Sequence, residues 1–387
     1  MNAEHKDVIA LLRSAVTGVA YPLSAEFDLE QVMPYIKSHH ILPLVYEGAR
    51  ICGVESPLMM KLFTGYCKSM QISEGQMREL DRIYRAFEEN GIDYMPLKGC
   101  RMKYLYPRPE LRMMGDADVV IRLEQYDKII PIMQQLGFDA IDDTDHELTW
   151  KSSGLRIELH KRLVPSHNKD YYSYYGNGWH LAKTHEGHYY RMTQEDEWVY
   201  EVTHFAKHFR DGGIGCRHVL DLWIYRKAHP DMDESYIEGE MKTLGLLDFY
   251  RNICRLTQFW FEDGPEDDVV ALISDYIMAS GSWGHLQERI RSVTIREQQH
   301  SAVAFNVKLV YFFHLLFPSA EMLSKKYTIL QKAPWMLPVV WLIRPFYKIL
   351  FEAKTLKKRK VEMQVLDKKS VDKQHELLKA MGIDYQF

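Results

Sequence analysis

Cysteine is scarce in this chain, and its placement matters more than its number. Cys52, Cys67, Cys100, Cys216 and Cys254 are odd in count, widely spaced and include no CxxC pair. That argues against a disulfide framework or a cysteine-built zinc site and fits reduced thiols in a cytoplasm. A large charge excess of one sign is also missing, with a formal net charge of −4 over 387 residues. Long nucleic acid, which is bound through a basic surface, is therefore not an expected partner. The opening Met-Asn-Ala-Glu-His-Lys-Asp has no apolar stretch behind a basic flank, so no signal peptide is expected. Long hydrophobic runs are lacking too. The most apolar stretches, 309–317 and 334–343, read as core helices, because each is well short of the ~20 residues that span a bilayer. The basic run Lys357, Lys358, Arg359 and Lys360 would suit a peripheral contact with anionic lipid.

What is present is an ordinary globular composition, 46% hydrophobic and 26% charged, at a length that allows two or three domains. We read residues 1–91 as a helical segment, because Leu62 to Phe87 keeps apolar residues at helical spacing and Gly91 can end the helix. Residues 92–163 read as a small α/β core. Strands are expected at 92–97, at 116–121 and as a hairpin of 147–151 with 155–160; helices are expected at 100–106 and 124–136. Residues 164–192, rich in Tyr and His, read as a loop. From Thr193, a good N-cap, to residue 387 the pattern is helical, with expected helices at 194–210, 216–228, 233–244, 247–261 and 266–279. The expected fold is α+β: a small mixed sheet flanked by helices, an N-terminal helical segment and a large C-terminal all-α domain.

Chemistry concentrates in Arg112-Met113-Met114-Gly115-Asp116-Ala117-Asp118. Asp116 and Asp118 are at i and i+2 of an expected strand, so both point to one face. Adjacent carboxylates repel unless a cation joins them. A hard divalent ion, Mg2+ or Mn2+, suits oxygen ligands of this kind. Glu158 in Ile157-Glu158-Leu159-His160 is a third ligand if its strand neighbours the first, and His160 shares its face. Such a site suits phosphoryl or nucleotidyl transfer. Lys98-Gly99 at an expected strand-to-helix turn offers an ammonium and a close backbone approach for phosphate oxygens, and Arg112 offers a second cation.

The run Leu97-Lys98-Gly99, Leu105-Tyr106, Pro109, Arg112 and Asp116-Ala117-Asp118-Val119-Val120-Ile121, followed by Ile157-Glu158-Leu159-His160, resembles the uncharacterised nucleotidyltransferase family of the DNA-polymerase-β-like superfamily. The resemblance is densest over 92–163. It continues more loosely through His204, His208, Arg217, Leu220 and Asp221 and on to Pro318, Tyr327, Pro338 and Arg344. It implies a transferase that binds magnesium and ATP or another NTP and moves a nucleoside monophosphate to an acceptor hydroxyl. Asp116, Asp118 and Glu158 would be the catalytic metal ligands, and Lys98 and Gly99 would meet the phosphates; from their place beside these groups, Arg112 and His160 are expected to contact the nucleotide too. The superfamily usually has Gly-Ser or Gly-Gly where this chain has Lys98-Gly99, and a shorter spacing than the 17 residues from Gly99 to Asp116. That departure leaves a non-catalytic nucleotide- or partner-binding protein as the alternative, including an accessory in bacterial surface-polysaccharide assembly.

In the helical half, His204 and His208 share one helix face. No Glu follows His204 as HExxH would require. They, Arg217 and Asp221 form either a network between helices or the wall of a cleft facing the carboxylates. Tyr171 to Tyr175 either stacks on a base or packs.

Overall fold

A computed structural model describes residues 1–166, 168–281, 317, 323, 329–351 and 368–383. Four helices come first: α1 (Ala3–Thr17), α2 (Leu29–His39), α3 (Leu42–Ile51) and α4 (Leu58–Glu89). In α4 the buried residues Leu62, Tyr66, Ser69, Ser73, Gln76, Leu80, Ile83 and Phe87 alternate spacings of four and three, which draws one stripe along the helix. Gly91, at φ +67°, then lets the chain turn back toward the sheet.

The α/β part follows as β1 (Tyr94–Pro96), α5 (Gly99–Met102), β2 (Ala117–Ile121), α6 (Tyr126–Gln135), β3 (Asp139–Asp143), β4 (Glu147–Lys151) and β5 (Arg156–His160). The expected loop 164–192 is instead structured. It holds α7 (Lys169–Tyr175) and a hairpin of β6 (Lys183–Glu186) with β7 (Tyr189–Arg191). Strand β7 pairs parallel to β1 through Tyr94 and Tyr189, so the sheet extends beyond residue 163. Its order is β3-β4-β5-β2-β1-β7-β6. Both outer strands are solvent-exposed and each is bulged. The helices α8 (Gln194–Asp211), α9 (Cys216–Ala228), α10 (Glu234–Thr243), α11 (Leu247–Phe261) and α12 (Asp268–Ser280) match the expected spans to within two residues at each end.

The two faces of the sheet have different covers. Ala117, Val119 and Ile121 of β2 and Ile157 and Leu159 of β5 pack against Leu80, Ile83 and Phe87 of α4 and Ile129 and Met133 of α6. Val120 points the other way, into a core shared with α1, α3, α8, α9 and α11. Strand alternation therefore puts Asp118 on the same face as Val120, between sheet and helical half. The N-terminal helices dock on that half as well: Arg13 pairs bidentately with Asp263, and Lys6 reaches Glu266.

Among the described residues, no helix is long and apolar enough to cross a membrane. Residues 334–343 lie within a 3-10 turn, Pro334–Met336, and a helix, Leu337–Phe351. The basic run 357–360 and most of 309–317 lie outside the described residues.

Candidate active site

Strand β2 runs parallel to β5, with Asp118 opposite Glu158. Strand β4 runs antiparallel to β5, with Glu147 opposite His160. These registers gather Asp116, Asp118, Glu147, Glu158, His146 and His160 on the floor of a cavity of about 290 Å3. Glu201, His204, Lys207 and His208 of α8 and Arg217, His218 and Asp221 of α9 form the opposite wall. The expected set is thus brought into one place: Lys98, Gly99, Arg112, Asp116, Asp118, Glu158 and His160 all line this cavity.

Asp118 is the most tied of the carboxylates. Its Oδ1 accepts from Lys98 Nζ at 3.0 Å and from His160 Nε2 at 2.8 Å. Burial opposes its ionisation, but the Lys98 ammonium and the His160 hydrogen bond prevail and hold the carboxyl well below the usual range. Both bonds fall on Oδ1, so the second oxygen remains for a cation. The other acids are less tied: Glu158 accepts from an Arg156 Nη at 3.0 Å, and Glu147 meets His146 Nδ1 at 3.0 Å. Burial and the negative charge of Asp118 push Asp116 up. Burial and the charges of Asp116, Glu147 and Asp118 push Glu158 up to about 7. Oxygen donors from Asp118 and Glu158, with a nitrogen of His160, lie within 4.8 Å of one another. A carboxylate cluster whose members raise one another's pKa fits a hard divalent ion, which would relieve that repulsion.

The loop that carries Asp116 is anchored from both sides. Gln76 Nε2 donates to the Met114 carbonyl at 2.9 Å, and an Arg217 Nη donates to the Met113 carbonyl at 2.7 Å. Arg112 was expected to meet phosphate. Instead its Nε and one Nη grip Asp221 of α9 at 2.8 and 2.9 Å, and the Tyr106 hydroxyl joins the same carboxylate at 2.7 Å. All three residues are buried. The long segment between Gly99 and Asp116 is therefore a folded brace between sheet and helices. Gly99 serves it directly: a Cβ there would stand 2.8 Å from an Arg112 Nη and 3.2 Å from Met114 Cγ.

The Lys98-Gly99 turn differs from expectation in one respect. The amides of Cys100, Arg101 and Met102 bond to the carbonyls of Leu97 and Lys98, and α5 has only four residues. The helix therefore presents no row of free amides for a phosphate. Lys98 itself has φ +42° and ψ −116°, a backbone shape that favours glycine and is strained for lysine. The superfamily's usual glycine at this place has a physical reason here.

On the helical wall, His204 and His208 are hydrogen-bonded Nε2 to Nε2 at 3.0 Å. Among the described residues they belong to no three-ligand group. Burial, then the nearby Lys98 charge, push His204 well below its usual value. Burial and Arg217 push His218 down to about 3. Burial, then the Glu197 charge, push Glu201 up to about 8. The tyrosine segment packs: Tyr171 and Tyr175 are buried, and the Tyr175 hydroxyl meets Thr203 Oγ1 at 2.8 Å.

The profile of the family described as uncharacterised nucleotidyltransferase matches residues 25–262. The chain belongs to that family. No curated protein and no solved structure matches this nucleotidyltransferase-family chain. The match spans the sheet, the cavity and both walls, and it ends before Pro318, Tyr327, Pro338 and Arg344. Sequence reading missed His146, Glu147, Glu201, Lys207 and His218 as cavity residues. For Glu147 a signal existed, because the expected hairpin 147–151 with 155–160 already pairs its first residue with His160. Glu201 and His204, three apart, and His204 and Lys207, again three apart, share a helix face, but nothing local says what that face meets.

Proposed function

We propose that this protein transfers a nucleoside monophosphate from an NTP to an acceptor hydroxyl, using a divalent ion, Mg2+ or Mn2+, held by Asp116, Asp118 and Glu158. The register of β2 on β5 carries this reading: it sets Asp118 against Glu158 on the cavity floor. Family membership supports the reaction class. Such an ion, when bound, neutralises triphosphate oxygens and steadies the charge that develops as the phosphoanhydride breaks. The protein's own groups supply the rest. His160 holds Asp118 in place through Nε2. Lys98 stands beside the same carboxylate, where its ammonium can also meet a phosphate oxygen. Arg112 keeps the acidic loop against α9 rather than touching the nucleotide. His204, His208 and Arg217 line the side opposite the acids, where an acceptor would lie. The test is incorporation of radiolabelled NTP in a lysate of the source cells with Mg2+ or Mn2+. Label must move with wild type and fail to move with Asp116→Asn and Asp118→Asn; no incorporation by wild type into any acceptor sinks the reading.

One observation favours a second reading. The Lys98 ammonium already pairs with Asp118, as a resident cation would in a non-catalytic nucleotide- or partner-binding protein. Calorimetry separates the two: heat on adding NTP and metal without turnover supports the binding protein, and turnover rejects it.

A further inference from the structure

The floor of the cavity also holds His146, Glu147 and the Nδ1 side of His160, to which the proposed transfer gives no role. His160 is buried, and its Nε2 faces Asp118, which as a carboxylate only accepts. Nε2 therefore carries the proton, and Nδ1 presents a bare lone pair. That Nδ1 has no hydrogen-bond partner among the described residues. It points toward Glu147, whose carboxylate is 3.9 Å away. His146 repeats the arrangement. Its Nδ1 meets Glu147 at 3.0 Å, and its Nε2 is buried and unpartnered. The two rings stand edge to face with centroids 4.8 Å apart. One donor atom from each of His146, Glu147 and His160 lies within 4.8 Å of the other two.

The backbone that presents them is fixed. The Thr144 hydroxyl accepts from the amides of His146 and Glu147, the Thr144 amide donates to the Glu147 carbonyl, and the Lys161 amide donates to the His146 carbonyl. A buried nitrogen lone pair without a donor costs about 1–3 kcal/mol, so the bare Nδ1 of His160, with the Glu147 carboxylate and a His146 nitrogen close by, calls for a cation. Ions with metal–nitrogen bonds of about 2.0–2.1 Å hold tetrahedral donors roughly 3.4 Å apart, a small closure from the separations here. A ligating histidine that donates its other N–H to a carboxylate is the usual way a protein fixes the ligand tautomer, and Asp118 does this for His160. The alternative set of Asp118, Glu158 and His160 would draw on the His160 nitrogen that already faces Asp118.

We propose that His146, Glu147 and His160 form a second metal site, for a first-row divalent ion of borderline softness such as Zn2+, beside the carboxylate cluster. Two imidazoles and one carboxylate select such an ion over Mg2+. The site does not depend on the chain being an active transferase, so absent NTP turnover leaves it standing.

The test uses full-length protein stripped by chelator and titrated with Co2+, whose visible absorption is intense in a four- or five-coordinate site and weak in an octahedral one, followed by displacement with Zn2+. Wild type and the double variant Asp116→Asn/Glu158→Gln should both develop the band and lose it to Zn2+. His146→Gln and Glu147→Gln should each weaken Co2+ binding at least about tenfold, with circular dichroism confirming the fold. As a check that needs no variant, Zn2+ should shield His146 of wild type from diethyl pyrocarbonate, read by peptide mass. The proposal is overturned by any of three results: no band in wild type, unchanged affinity in both single variants, or a band lost in the double variant. A water molecule on the bare His160 nitrogen would give the first of these.

Discussion

The two walls of the cavity handle buried charge in opposite ways. On the sheet wall, four carboxylates crowd together, with Lys98 beside Asp118 and Arg156 beside Glu158 as close cations. On the helical wall three titratable groups give up charge: burial leaves His204 and His218 neutral and favours a protonated Glu201 near neutral pH. One wall thus invites a cation, and the other offers hydrogen bonds around two cations, Lys207 and Arg217. The contrast follows from backbone type. Parallel strands in register put like charges side by side with no room to retreat, whereas a helix face spaces its residues about a turn apart.

The sharpest way to break the contrast is at Asp118. Asp118→Asn keeps the shape but removes the charge that Lys98 and the proposed ion share. Transfer should fall at least about a hundredfold, measured with labelled NTP, and chelation of wild type should do the same. Next is the brace between the walls. Asp221→Ala strands a buried Arg112 and should cost about 3–5 kcal/mol in urea unfolding; Arg112→Met/Asp221→Leu should recover most of that loss. If Asp221→Ala costs nothing, the brace is not structural.

Glu201 gives the pH test. Its folded-state pKa is raised from 4.5 to about 8 by burial and by Glu197, so the folded state binds the extra proton. Stability from this group is complete below about 4.5 and is lost as pH rises through about 8. Thermal melts of wild type should therefore lose ground to Glu201→Gln between pH 5 and pH 8.5, and parallel curves refute the assignment. The smallest effect is at the start of α8, where Thr193 Oγ1 accepts from the Asp196 amide at 3.1 Å. Thr193→Ala should cost about 1 kcal/mol by chemical denaturation and leave metal binding unchanged.

Much of the site was legible because its signals are local. The i, i+2 spacing of Asp116 and Asp118 and the E-x-H of β5 need only strand alternation, and the amphipathic helices need only periodicity. What escaped had no such signal. Strand β3, Asp-Ala-Ile-Asp-Asp, is exposed throughout and shows no apolar alternation. Strand β6, Lys-Thr-His-Glu, is equally exposed. Helix α7 hides in a run of tyrosines, whose preference is for strands. The role of Arg112 depended on Asp221, 109 residues away, a distance at which sequence pattern carries no information.

The exposed, bulged margins of the sheet have a further consequence. An open sheet can recruit a foreign strand along its outer backbone, which is how many folds capture peptides or aggregate. Here one margin carries Asp139, Asp142 and Asp143 with the register broken at Ile141, and the other carries Lys183 and Glu186 with the register broken at His185. Charges and kinks at both ends oppose strand recruitment, so an extended peptide has no flat margin on which to lengthen this sheet.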